Sequence, residues 1–143
     1  MNYKFPNPAN LAFSEITVGS QYSFNKAFSN DDILTFANLT GDFNPLHVNP
    51  THNKKIFEKN IVHGMLIGGL FSTLVGMHCP GRNCLYLSQE IEFMKPIYPN
   101  QVVSVLGTVI NKVQALKILT IKTEILIDGI TFIKGQAKVR VLE

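Results

Sequence analysis

Asp42 and His47 stand five residues apart in the stretch Gly41-Asp42-Phe43-Asn44-Pro45-Leu46-His47. A carboxylate and an imidazole at that separation, in a loop stiffened by proline, can point at one water molecule and move a proton on or off it. Asn44, between them, is suited to holding the loop because its side chain bonds nearby backbone groups. An ordinary turn joining two helices, with a surface aspartate and a surface histidine, would carry the same residues.

A second polar cluster, Ile61-Val62-His63-Gly64-Met65, precedes a long apolar segment. Backbone N–H groups at a helix start are unpaired, and the helix dipole favours negative charge there. Gly64 has no side chain to keep a ligand away from them, which is what a developing oxyanion needs. Simple relief of crowding by Gly64, with His63 a capped core histidine, is the competing account. Together the clusters supply an acid/base pair and an oxyanion donor beside an apolar surface. That set suits addition or removal of water next to a thioester carbonyl. Acid/base help of this kind is worth roughly 100- to 10,000-fold, and one oxyanion donor about 100- to 1,000-fold.

The elements that must position these groups follow from local pattern. Residues 1–14 read as an irregular arm, with Pro6 and Pro8 blocking helix. Gln21–Phe28 suits a strand. Ser29 makes a helix N-cap, Asp31 and Asp32 favour the first turn, and Gly41 ends that helix after an apolar face of Ile33, Phe36, Ala37 and Thr40. A short helix is expected from about Pro50 to Phe57. Gly64–His78 is apolar almost all round and must be a buried helix. Its Gly68, Gly69, Ser72 and Gly76 lower helix propensity, and close approach of neighbouring backbones would offset that.

Everything after it is strand-like: Cys84–Phe93, Val102–Ile110, Leu116–Ile127 and Thr131–Val141 are rich in Ile, Val, Leu and Thr. Turn signals separate them at Pro96/Pro99-Asn100, at Asn111-Lys112 and at Asp128-Gly129, the last a strong hairpin cue. One buried helix wrapped by an antiparallel sheet is an α+β design.

At 143 residues the chain is one domain of ordinary size. Only 16% of it is charged, against about 25% in a typical globular chain. So few charges cover a lone monomer poorly and favour an oligomer. The net charge of +3 comes without a basic stripe, which argues against nucleic acid. No secretory signal is evident, and the longest apolar run, Met65 to Met77, is too short for a membrane span of about 20 residues. A cytoplasmic protein is the expectation. His78, Cys79 and Cys84 lack a fourth ligand for structural zinc. His47 and His52 miss the four-residue helical spacing of a zinc helix. No metal is expected, and Cys79 or Cys84 as a nucleophile has no base nearby in sequence. Lys54, Lys55, Arg82 and Lys95 could meet phosphate groups, or simply be solvated.

The pairing of Gly41-Asp42-Phe43-Asn44-Pro45-Leu46-His47 with Ile61-Val62-His63-Gly64-Met65-Leu66 resembles the MaoC-like dehydratase family, most of all its (R)-specific enoyl-CoA hydratases. The likeness runs from about residue 20 to the C-terminus, through Tyr86-Leu87-Ser88-Gln89 and Phe93-Met94-Lys95-Pro96. It implies a hot-dog fold over residues 15–143, a curled antiparallel sheet around a long central helix, and a homodimer or larger homo-oligomer. It implies reversible addition of water to trans-2-enoyl-CoA, giving (R)-3-hydroxyacyl-CoA. Coenzyme A would be part of the substrate and no cofactor would be needed.

Asp42 and His47 would be the catalytic pair, with the division of proton transfers between them open. Gly64 would donate to the thioester oxygen, with Asn44, His63 and Ser72 in support. Asn53, Asn60 and Asn100-Gln101 depart from the family pattern without touching the chemistry. Two other readings stay open: an acyl-CoA thioesterase of the same fold, and a non-catalytic acyl-CoA-binding subunit.

Overall fold

The runs rich in β-branched residues form one five-stranded antiparallel sheet. Its strands are β1 (Gln21–Lys26), β2 (Cys84–Phe93), β3 (Val103–Val113), β4 (Ile118–Ile127) and β5 (Ile130–Val141), in the spatial order β1-β3-β4-β5-β2. The computed structural model describes residues 5–52 and 54–143. Asn53 and residues 1–4 therefore lie outside the described part. Between β4 and β5, Asp128 (φ 50°) and Gly129 (φ 77°) both take the left-handed backbone of a two-residue hairpin turn. The turn expected at Asn111-Lys112 is not there. β3 runs on to Val113, absorbs Ile110 in a bulge, and reverses at Gln114–Leu116.

α1 (Asn30–Thr40) forms as its signals predict. Ser29 and Asp32 cap each other's backbone N–H groups, and Gly41 closes the helix at φ 82°. The described residues of Pro50–Phe57 show turns where a short helix is expected, and one helical turn lies earlier, as α2 (Pro45–Val48). Asn44 caps it, its Oδ1 accepting the Leu46 N–H at 3.0 Å. Pro45 sits in the first turn, where a missing N–H costs nothing.

The central segment is three pieces rather than one helix: α3 (Gly64–Gly68), α4 (Leu70–Thr73) and a wider π-helical turn, Leu74–His78. The backbone tightens at Gly69, whose oxygen accepts from the N–H of Ser72. Ile67, Leu70, Phe71, Leu74 and Val75 are buried against the sheet. The segment is not enclosed on all sides, however: Met65 is 63% exposed, and Gly69 and Ser72 face outward from the core.

The core has two parts. One packs Ile33, Ile67, Phe71 and Leu74 on Val103, Val105, Ile125 and Ile133. The other packs Phe13, Ile16 and Val75 on Val109, Leu119, Ile121 and Val139. The arm is thus part of the packing from Ala9 onward. Ala9 bonds Met77 and Arg82 through its backbone, and a Cβ at Gly81 (φ 91°) would lie 2.0 Å from the Ala9 oxygen. Lys112 latches the following turn, donating to the oxygens of Phe13 (2.7 Å) and Ile16. Among the described residues no helix is long and apolar enough to cross a membrane.

Candidate active site

The Asp42 loop is built by its own backbone. Gly41 turns the chain out of α1, and Asp42 Oδ1 accepts the Asn44 N–H at 3.1 Å. Asn44 then caps α2, which carries His47. Asn60 braces the far side of this helix, donating to the His47 oxygen at 2.9 Å and to Asn30 Oδ1 at 3.1 Å. The loop is therefore tied to α1 and to the strand-like segment that leads into α3.

His47 Nδ1 lies 2.9 Å from the Ile61 main-chain oxygen. A carbonyl only accepts, so Nδ1 carries the hydrogen and Nε2 keeps its lone pair. Behind it the buried His63 ring packs at a centroid distance of 4.0 Å. His63 Nε2 reaches the Asp42 main-chain oxygen at 3.0 Å and Asp42 Oδ2 at 3.9 Å. Asp42, His47 and His63 each bring an oxygen or nitrogen to within 4.8 Å of the others. Two hydrogen bonds of about 2.8 Å each span such a gap through one water. A cation could in principle fill it too, but the hydrogen on His63 Nε2 leaves no lone pair there for a metal.

His47 opens onto an apolar cavity of about 320 Å³, lined also by Phe57, Ile61, Ile67, Phe93, Met94, Ile97 and Ile133. Gly64 lines it too, in the first turn of α3, where N–H groups have no carbonyl within the helix to bond. A Cβ at Gly64 would come within 2.9 Å of the Phe93 ring, so glycine is what lets the aromatic wall close over this turn.

The structure therefore gathers Asp42, Asn44, His47, His63 and Gly64. Asp42, half exposed, does not itself line the cavity. Ser72 is not gathered in: it is exposed on α4, about 12 Å along the chain axis from Gly64, and lines none of this cavity. Of the four cations singled out, Lys95 alone lines it. Cys79 and Cys84 are free thiols. Burial pushes Cys79 up to about 11 and raises Cys84, so both are neutral and unreactive near pH 7. Sequence spacing did not expose the apolar wall of Phe57, Ile97 and Ile133, because it is assembled from three separate elements. The Phe93↔Ile133 pairing across β2 and β5 would have been the nearest clue.

With this geometry in view, the likeness to known proteins is specific. The family model described as MaoC like domain matches residues 12–129. An (R)-specific enoyl-CoA hydratase of Rhodospirillum rubrum is 35% identical over 130 residues, covering 90% of each chain. One from Aeromonas caviae is 34% identical over 120 residues, 83% of this chain and 90% of its own. The solved (R)-hydratase from A. caviae involved in PHA biosynthesis superposes with a TM-score of 0.85 at 34% identity, over 89% of this chain and 98% of its own. The R-hydratase PhaJ1 from Pseudomonas aeruginosa, in unliganded form, superposes at 0.88 with 26% identity, over 94% and 87%. Such coverage makes this sheet and its helix a hot-dog fold, and the chain belongs to the MaoC-like domain family.

Proposed function

We propose that the protein is an (R)-specific enoyl-CoA hydratase, a hydro-lyase that adds water reversibly to trans-2-enoyl-CoA. The observation that carries this is a carboxylate and an imidazole one water apart, at an apolar cavity that also presents a helix-start glycine. In this reading Asp42 and His47 hold the water. The lone pair on His47 Nε2 takes one of its protons as the oxygen bonds to C3 of the enoyl chain. Electron density moves to the thioester oxygen, which Gly64 N–H stabilises, and C2 then gains a proton to give the 3-hydroxyacyl product. Water thus supplies both the hydroxyl and the hydrogen. Asn44 keeps the loop closed through its cap. The thioester itself makes C2 acidic enough, so the reading requires no cofactor or metal.

The relatives named above are all hydratases, which favours this reading over thioester hydrolysis or a non-catalytic acyl-CoA-binding role. A homodimer belongs to the same proposal. β2 is an edge strand that leaves Leu85 and Leu87 about half exposed, and Met65 of α3 is uncovered as well. Sedimentation would show it as twice the chain mass.

The deciding assay follows loss of the conjugated enoyl-thioester absorbance with crotonyl-CoA and then longer enoyl-CoA chains, with chiral analysis of the product. Formation of the (R)-alcohol, abolished by Asp42→Asn, is the expected result. No turnover at any chain length would sink the proposal.

A further inference from the structure

Water activation by Asp42 and His47 leaves the buried imidazole of His63 unused. His63 is 1% exposed, and its Nε2 donates to the Asp42 main-chain oxygen at 3.0 Å. The other ring nitrogen, Nδ1, is buried and meets no hydrogen-bond partner among the described residues. The His47 ring lies 4.0 Å away, centroid to centroid. The groups facing His63 are Asp42, His47 and the Phe36 ring at 4.9 Å. Asp42 approaches the Nε2 side, and its main-chain oxygen, which only accepts, places a hydrogen on that nitrogen.

An orphaned buried acceptor works against folding. Leucine or phenylalanine would fill this space without one, so the core gives no reason for histidine here. The Asp42–His47 pair does give one. The same ring fixes the Asp42 main chain through its N–H and packs against the face of His47. Its residue is also the N-cap of α3, whose first residue, Gly64, lines the same cavity as His47.

We infer that His63 is a positioning residue, an imidazole whose Nε2–H and ring face together hold Asp42 and His47 one water apart. The inference rests on the hydratase reading and deepens it. It assigns His63 no proton transfer and no contact with the substrate.

The test compares the full-length protein with His63→Leu and His63→Gln in crotonyl-CoA hydration and in thermal unfolding. Glutamine places an N–H close to where Nε2 stands, whereas leucine removes it. Loosening the pair by a fraction of an ångström to an ångström costs roughly 10- to 100-fold. His63→Leu should therefore lose kcat on that scale, with KM within about twofold and its Tm kept or raised. His63→Gln should recover most of the lost kcat. Unchanged kcat in His63→Leu overturns the inference, as does equal loss in both variants or loss of cooperative unfolding in both. Inactivity of the unsubstituted protein on every enoyl-CoA would instead mark failure of the hydratase reading.

Discussion

The Ile61 main-chain oxygen accepts a hydrogen bond from His47 Nδ1 at 2.9 Å, reaching across fourteen residues of sequence. That one contact decides which nitrogen of His47 is basic, and it ties the α2 turn to the segment that leads into α3. If it poises Nε2 to take a proton, His47→Ala and Asp42→Asn should each lower kcat by roughly 100- to 10,000-fold with little change in KM. Steady-state hydration kinetics measure this, and a variant that keeps wild-type kcat removes that residue from the mechanism.

Gly64 is constrained by what lies above it, since its backbone is not in the left-handed region. Gly64→Ala should push the Phe93 ring aside and lower kcat/KM by about tenfold or more, because a small displacement at the reacting centre is expensive. Phe93→Leu offers the methyl group room. The double variant should regain part of the activity, and a double-mutant cycle reads the coupling directly. Simple additivity of the two losses would contradict the packing account.

The α1 cap can be tested through stability alone. Ser29→Ala should cost about 1 kcal/mol, a fall in Tm of about 4 °C for a domain of this size. Hydrogen bonds from the Ser29 backbone and side chain hold the Asp32 carboxyl below its ordinary value. A depressed folded value means stability present above the ordinary carboxylate range and lost as pH falls through it. Thermal melts between pH 5 and 2 should therefore show a shallower decline in Ser29→Ala than in the unsubstituted protein.

At the alkaline end the sign reverses. Burial lifts Cys79 to about 11 and Tyr86 to about 12, above their values in an unfolded chain. Between the ordinary thiol value near 9 and about 11, the unfolded state has lost the Cys79 proton while the folded state keeps it. Stability is fully present below pH 9 and drains away as pH rises through that window. Tyr86 extends the decline above pH 10. Cys79→Ala should be less stable at pH 7 but should lose less Tm between pH 9 and 11.

Sequence periodicity was a good guide where structure is local. The α1 caps, the span of β2 and the Asp128-Gly129 reversal all rest on residues that act on their immediate neighbours. It failed where distant groups decide. Lys112 reads as a turn residue, yet its ammonium is held by oxygens of Phe13 and Ile16, which lets β3 run on. Asn44-Pro45 reads as loop but starts a helical turn. Asp42, His47 and Gly64 could be picked out by type and spacing, because their chemistry demands those types. The apolar cavity beside them, and the packing of His63 on His47, exist only once α2, α3, β2 and β5 have met.

The order of strands in space has a bearing on how the chain is made. β5 is made after the other four strands, yet it lies between β4 and β2 and is, among the described residues, the only strand paired with β2. While a ribosome is still extending the chain, β2 waits through the whole of β3 and β4 with neither side bonded. Its apolar Leu85 and Leu87 are then available to any chaperone, or to another nascent chain. A message truncated just before Ile130 would therefore forfeit two strands instead of one, leaving the three-stranded β1-β3-β4 part of the sheet for the central segment to settle on.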